Sequence, residues 1–529
     1  MSVRRFLAGV STAAVAAASL SLAAPAVADP AAGYTPASSD VIGVGSDTSE
    51  FALNHLADGI NGTPGYNASG PANKLVSWNA IAPAGAAATI NLPGNPTATR
   101  PNGSGAGKKT LYGAGNVPEI DFARSSAALD ATEKQAGLQA FPFAKDSLAL
   151  ATAKTSNAPT TISAADMVRI YSGTVTNWSQ LGGAPGVIEP KIPQSGSGTR
   201  SFFLAQLQAA NNGTAVTLAG TVAEVQEHDP SQIQGNANAV APFSIGRNTV
   251  AGSPLRIEGG FLASRALYNV VRQGDVAKPE ILAIFGESGF VCSEAAKPLI
   301  SAAGFEQLLP RTKGGVCGVP TQDPTTNLAT EQVATSTTVS GASTSAGALS
   351  LTATVASGSA VADGLVSFYL DGAATPSGTP VPLTGGKATK ALTGVAAGAH
   401  TVIAKFTPTS NSVFAASQSA AAAVSVLAAT PAPAAKADTK LVVKFKSSYA
   451  KGAKVKGSVK VKESAAGSPT GKVVVKRGTK VVGKGTLKNG LVVITITKPL
   501  KVGKNKLVAS YAGTSAFAAA KVKFTVTIR

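Results

Sequence analysis

Histidine and cysteine are almost missing from this chain. His55, His228, His400, Cys292 and Cys317 are all that 529 residues contain. No spacing among them suggests a metal site, which needs clustered Cys, His and carboxylate ligands. A serine nucleophile needs a nearby base with its own orienting partner, and neither of two small-residue loops, SGSGT at 195 and GSGAG at 103, has the G-x-S-x-G frame of a nucleophile elbow. An enzyme is not expected, nor a metal or cofactor. Aromatics make up 5% of the residues, so the cores must be built mainly from small and β-branched side chains. Long apolar runs are also lacking, and no stretch beyond the first residues approaches the ~20 that a bilayer span takes.

The one apolar run, Phe6 to Ala24, follows Arg4 and Arg5 and precedes Ala26-Val27-Ala28. That is the pattern of a signal peptide cleaved before Asp29. Phe6 stands directly after the arginine pair, where a twin-arginine signal has an intervening residue, so the general secretory route is expected. No cysteine follows the cleavage site and the ending KFTVTIR carries no sorting signal, so the product is expected to be secreted, or held at the cell wall non-covalently. In an oxidising compartment Cys292 and Cys317 are expected to be bridged.

Negative charge is scarce at one end. From Asp438 onward there are 21 Lys and Arg against 2 acidic residues, a balance of +19 that equals the whole-chain value, so the rest sums to zero. In AKVKGSVKVKE, Lys454, Lys456, Lys460 and Lys462 alternate with Val455, Val459 and Val461, which puts lysines on one face of a strand and valines on the other. Such a surface suits extracellular polyanions such as wall teichoic acids or acidic glycans; in a secreted protein nucleic acid is not an expected partner. The plainer reading is a solvated face that protects edge strands.

The length implies three or four domains at ~100–200 residues each. Up to about Pro320, short apolar strands alternate with helical patterns: DVIGVGSDTS then EFALNHLADGIN, GNVPEIDFA, LQAFPFAKDSLALATA with two strands around Pro142, and SAADMVRIYSG with Ser163 as N-cap. This alternation predicts a two-lobed α/β domain with mainly parallel sheets, residues 30–322. TQDPTTNLATEQVATST is polar and reads as a linker, 323–335. Only alternating strands and turns follow. GLVSF at 364 matches GKVVV at 471, and GAHTVIAKFTPTSNSVFAAS at 398 matches GKNKLVASYAGTSAFAAA at 503, pairing Phe406 with Tyr511 and Phe414 with Phe517. Two tandem immunoglobulin-like β-sandwiches are predicted, 336–427 and 438–529, with AATPAPAAKA between them as a second linker, 428–437. The protein is expected to be a monomer without a membrane span.

SGSGT runs into the helical pattern RSFFLAQLQAANN, with GSGAG at 103 and GSDTS at 45 upstream. A small-residue loop opening a helix leaves backbone N–H groups unpaired with the positive end of the helix dipole behind them, which suits an anion. Taken singly, Thr48, Ser104 or Thr199 is better read as a helix cap, although a fold could bring all three loops around one ligand.

With IDFARSS at 120, PFAKDSLALA at 142 and IYSGTVTNWSQLGG at 170, these loops make residues 40–320 resemble the phosphate-specific substrate-binding proteins of ABC transporters. The resemblance implies a periplasmic-binding-protein fold of the second type that holds phosphate or a similar oxyanion between its lobes. It implies ligand contacts from Thr48, Ser49, Ser104, Ser197, Gly198 and Thr199. Two departures stand out. IDFARSS places Ser126 where the family has an aspartate accepting the proton of phosphate, leaving Asp47 as a substitute, and Ser125 beside it is a further candidate ligand contact. Ile192 and Pro193 stand where the family has an arginine, leaving Arg124 or Arg200 to supply the cation. Arg124 is equally open to reading as a lobe-to-lobe salt bridge, Asp47 as a helix cap, and Trp178 as a packing residue. The rival to a solute-binding protein is an extracellular structural or adhesive protein whose α/β domain has lost its ligand.

Overall fold

The computed structural model describes residues 29–30, 34–83, 85–358, 361–463 and 467–529. The expected signal peptide, residues 1–28, lies outside the described residues. The described residues form two compact units, divided between Val426 and Leu427.

In the first unit, β1 (Val41–Gly45) is buried along its whole length, as a continuous apolar run requires of a strand covered on both faces. Gly45, at φ +109°, turns the chain toward α1 (Glu50–Asp58). The parallel neighbours of β1 are β2 (Leu75–Ser77) and, after a hairpin of β3 (Thr89–Asn91) and β4 (Thr97–Thr99) and a short α2 (Ser104–Lys109), β5 (Phe122–Ser125). Next, α3 (Ala131–Gln135) opens on a capping box between Asp130 and Glu133 and leads into β6 (Leu138–Ala153). The second lobe follows with β7 (Thr161–Ile162), α4 (Ala164–Tyr171), β8 (Glu189–Pro193), α5 (Gly198–Ala210), β9 (Ala223–Val225), α6 (Ser231–Gln234), β10 (Ala239–Ser244) and α7 (Ile245–Val250). Ser163 caps α4 by accepting from the Asp166 N–H. The chain returns along β11 (Leu255–Arg272) and finishes the first lobe with α8 (Pro279–Phe285), α9 (Lys297–Ala302) and β12 (Glu306–Gln307).

The strands make one sheet in the order β2-β1-β5-β11-β6-β10-β8-β9. It is mixed and not mainly parallel: β1 with β2 and β5, and β8 with β9 and β10, are parallel, but β6 and β11 pair antiparallel with each other and with β10 and β5. These two strands belong to both lobes. Phe141, Phe143, Leu267 and Val270 enter one apolar core with β1, α1 and α8, while Leu148, Leu150 and Phe261 enter a second with α4, Phe203 and Leu207. LQAFPFAKDSLALATA is accordingly one strand and not two. Pro142 is accommodated where the register with β11 slips between Leu267 and Tyr268, a bulge at which no ladder N–H is needed. In GNVPEIDFA the strand begins only at Phe122.

Two all-β domains follow. The first has β13 (Thr335–Ser345), β14 (Ala348–Ser357) and β17 (Lys387–Thr393) in one sheet, facing β15 (Gly364–Leu370), β16 (Val381–Pro382), β18 (Gly398–Pro408), β19 (Ser417–Gln418) and β20 (Ala422–Val426). The second has β21 (Thr439–Phe445), β23 (Lys456–Glu463) and β26 (Leu491–Thr495) facing β22 (Ser448–Tyr449), β24 (Lys472–Arg477), β25 (Lys480–Thr486), β27 (Gly503–Tyr511) and β28 (Ala520–Ile528). The repeated residues take equivalent places: Phe406 and Tyr511 are buried in the respective cores, and Phe414 bridges Val333 as Phe517 bridges Ala437. Residues 323–335 are polar yet docked. Ala329 O accepts from Leu309 N at 2.9 Å, Asn327 Nδ2 donates to Gly314 O at 2.9 Å, and Val333 pairs with Phe414 of the first sandwich.

Cys292 and Cys317 are disulfide-bonded, 25 residues apart in sequence. Closing a loop of that length removes unfolded-chain entropy worth about 3 kcal/mol. Replacing both cysteines by alanine is expected to lower the stability of the α/β domain by about that much in urea unfolding. Trp78 and Trp178, the chain's two tryptophans, both lie in this domain and report it by fluorescence.

Candidate functional site

All three Gly/Ser loops meet between the lobes. GSGAG, at the start of α2 in the first lobe, lies against SGSGT, at the start of α5 in the second: Gly105 N donates to Gly196 O at 2.9 Å. A Cβ on Gly103 would stand 2.6 Å from Gly196 O, and one on Gly198 would stand 2.2 Å from Ser104 Oγ and 2.4 Å from Ser126 Oγ. These glycines therefore let the lobes touch, a role the sequence pattern alone did not reveal.

Thr48 is the meeting point. Its hydroxyl donates to Glu227 Oε1 at 2.7 Å and lies 3.2 Å from Ser126 Oγ, 3.2 Å from His228 Nε2 and 3.4 Å from Thr199 Oγ1. Ser126 Oγ is 3.3 Å from both Ser46 Oγ and Ser104 Oγ, and Ser104 Oγ accepts from Ser126 N at 3.0 Å. Thr199 N, in the first turn of α5, donates to the same Glu227 oxygen at 3.2 Å. Ser46, Thr48, Ser49, Ser104, Ser126 and Thr199 are each fully buried.

The other named residues sit around this centre in different roles. Ser197 caps α5 by accepting from Arg200 N at 3.0 Å. Ser125 turns away and donates to Ala127 O. Asp47 accepts from Gln226 Nε2 at 2.9 Å through one oxygen; it forms no helix cap. The guanidinium of Arg124 donates to the carbonyls of Gly45 and Ser46 and to Ser77 Oγ, at 3.1, 3.1 and 2.9 Å. It braces the GSDTS turn from behind and makes no salt bridge across the lobes. Arg200 pairs with Glu224 at the surface, and Trp178 is a buried packing residue.

Arg265 brings a buried cation to the centre. On β11 it is the register partner of Asp146 on β6, where the two strands pass between lobes. Its Nε and Nη2 donate to Asp146 Oδ2 at 3.0 and 2.8 Å, and Nη2 also donates to Thr199 Oγ1 at 2.8 Å. Arg247 reaches from α7 across to α1, its guanidinium 3.8 Å above the Phe51 ring. Sequence reading missed Arg265, Asp146, Arg247, Glu227 and His228. Register pairing over 119 residues leaves no local pattern, and Glu227-His228 lies in a polar stretch without periodicity.

The ionisation states follow from burial and neighbours. Burial, with the Glu227 charge and then that of Glu50, pushes the Asp47 carboxyl well above its usual range. Burial opposes ionisation of Glu227, yet the His228 ring, the Asp47 hydrogen bond and Arg265 outweigh it and bring its pKa to about 2. His228 is lowered to about 3, by burial first and then by Arg247 and Arg265, against the pull of Glu227. Of the three groups, Glu227 is thus the one held in its charged form, while burial pushes Asp47 and His228 toward neutrality.

Among the described residues no group of His, Cys, Asp and Glu is arranged to hold a metal ion. In the basic sandwich, Val459 and Val461 are buried while Lys456, Lys460 and Lys462 are exposed on the other face of β23. Lys462 lies directly opposite Lys440 of β21. The opposite sheet carries Lys472, Lys476, Lys504, Lys506, Lys521 and Lys523 outward.

Residues 69–253 match the family model of the PBP superfamily domain, and residues 443–529 that of the bacterial Ig-like domain, group 3. Among solved structures the chain is similar to an ABC-type phosphate transport receptor from Vibrio cholerae, at 22% identity over 50% of this chain and 99% of that one, TM-score 0.36. It is also similar to PstS from Borrelia burgdorferi, at 16% over 50% and 98%, TM-score 0.31. The ancestral soluble variant of the human phosphate binding protein gives 15% over 51% and 90%, TM-score 0.33. Likeness at this level identifies no ligand. No curated protein matches the sequence.

Because His228 is held neutral in the fold, the unfolded chain binds a proton that the folded one does not between pH ~6.5 and ~3. The His228 contribution to stability is therefore lost as pH drops through that window, while the buried carboxyls Asp47, Glu50 and Asp121, all raised by burial, act in the opposite direction. His55, also lowered, acts in the same direction as His228, and Glu227 adds to the loss below about pH 4.5. His228→Gln is expected to flatten the loss between pH 6.5 and 4 by about 1–2 kcal/mol, measured by urea unfolding with tryptophan fluorescence.

Proposed function

We propose that this is a secreted, non-enzymatic solute-binding protein whose two-lobed domain closes on phosphate or a similar small oxyanion. One observation carries the reading: a hydroxyl from the first lobe, Thr48, and an α5 N–H from the second, Thr199, converge on a single anionic oxygen. Hydroxyls and N–H groups at a helix start, buried from water, form the environment that holds an oxyanion. Ser49, Ser104, Ser126 and Gly198 complete the wall, with Arg265 as the cation and Asp47 as a carboxyl whose ionisation burial opposes. The domain division at 322, 335, 427 and 437 belongs to the same proposal, with the sandwiches as spacers or surface-attachment modules. The rival, an extracellular structural protein that has lost its ligand, is favoured by the fact that the anion in the site is the chain's own Glu227.

Titrating phosphate, sulfate and buffer alone into the full chain by thermal shift separates the two. A true ligand stabilises by RT ln(1 + [L]/Kd), about 2.7 kcal/mol at a hundredfold excess over Kd. Phosphate is expected to raise the α/β midpoint, and Gly198→Ala to abolish the rise, because its Cβ would push Ser104 and Ser126 out of the wall. Flat curves for every anion favour the rival.

For the basic sandwich the proposed partner is a cell-wall polyanion, supported by the two outward lysine faces. Washed cell walls at about physiological salt, where screening removes contacts beyond ~8 Å, are expected to co-sediment the full chain. Combining Lys440→Glu, Lys460→Glu and Lys462→Glu is expected to reduce the pelleted fraction several-fold. No enrichment of the parent chain over a wall-free control would end this reading.

A further inference from the structure

The Glu227 carboxylate stands where a bound oxyanion would be held, and its surroundings say how it gives way. Thr48 and Thr199 both donate to Oε1, and in the same wall Ser49 Oγ and Arg265 Nη1 are buried without a hydrogen-bond partner. A two-oxygen planar group thus leaves part of the wall unsatisfied, and a buried polar atom without a partner costs about 1–3 kcal/mol. A tetrahedral oxyanion, with more oxygens, can reach more of these groups. The segment that delivers Glu227 is itself under tension: His228 stands at φ +57°, a left-handed conformation that a non-glycine residue adopts at a cost of about 1 kcal/mol or more. Side-chain contacts hold it in place, among them Gln194 Oε1 accepting from Glu227 N at 2.8 Å, Gln226 Nε2 donating to Asp47 at 2.9 Å and Asn102 Nδ2 donating to Gln226 Oε1 at 3.0 Å.

We propose that Glu227 is a built-in competitor for the oxyanion site, an internal carboxylate that keeps the lobes together when no ligand is bound and must leave before a tetrahedral oxyanion enters. This rests on the oxyanion reading above. Two anions cannot share the centre, because like charges a few ångströms apart in a water-poor interior repel strongly. The affinity of the free protein for its ligand is thereby set by the difference between two anions and not by the ligand alone.

The test uses the full chain as Glu227→Ala and, to keep the side-chain volume, Glu227→Gln, with folding checked by tryptophan fluorescence. Amide hydrogen exchange without ligand is expected to accelerate at least tenfold across residues 46–49 and 197–201 in Glu227→Ala, as the lobes lose their common anion. Calorimetric titration with inorganic phosphate is expected to show at least tenfold tighter binding to Glu227→Ala than to the parent chain, with Glu227→Gln between them. Equal or weaker phosphate binding by Glu227→Ala, with the parent chain binding, overturns this inference alone and makes Glu227 part of the ligand's own shell. Unchanged exchange overturns the clamping role. Phosphate silence in every variant, with exchange accelerated, overturns the oxyanion reading itself and the competition with it.

Discussion

An ionised carboxylate buried between two lobes is costly, several kilocalories per mole before compensation, and the centre of this protein is arranged around meeting that cost at Glu227. The compensation comes from both sides of the cleft: the Thr48 hydroxyl from the first lobe, the Thr199 N–H from the second, and the Arg265 charge from the strand that passes between them. Removing any one group leaves the others facing a charge they cannot neutralise. The mutual dependence of these groups explains why residues so far apart in sequence are all buried to the same depth.

The rest of the α/β domain serves to bring those groups within reach. Arg124 fixes the GSDTS turn through carbonyls, so that Thr48 points inward. Glycines at 103 and 198 allow backbone and hydroxyls of opposite lobes to approach more closely than any side chain would permit. Asp146 orients Arg265 with a two-nitrogen contact and is itself held by the Ser244 hydroxyl at 2.6 Å. Such outer partners matter as much as the groups they aim, because an arginine at a loose angle would miss Thr199.

Much of this is legible in the residues, and what is not has a physical reason. The order of small-residue loops, the Ser163 cap, the repeat that pairs Phe406 with Tyr511 and the lysine alternation from 454 to 462 all depend on spacing within a few residues, where local rules hold. The one-strand character of β6 was hidden by Pro142, which normally marks a break and here sits at a bulge. Glu227 and Arg265 were hidden for a different reason. Their importance comes from what lies across the cleft, and single-chain pattern carries no record of that. Arg124 shows the converse: adjacent to the right motif, it spends its donors on backbone carbonyls.

The two strands that pass between the lobes are paired with each other through the crossing itself, Ser264 opposite Ser147 and Arg265 opposite Asp146. Lobes joined by separate single strands of chain can swing freely about a few backbone torsions. A paired ribbon resists that, since its ladder bonds must survive the motion. The passage between the lobes is therefore carried by one hydrogen-bonded two-stranded band with an ion pair, Arg265–Asp146, at its waist.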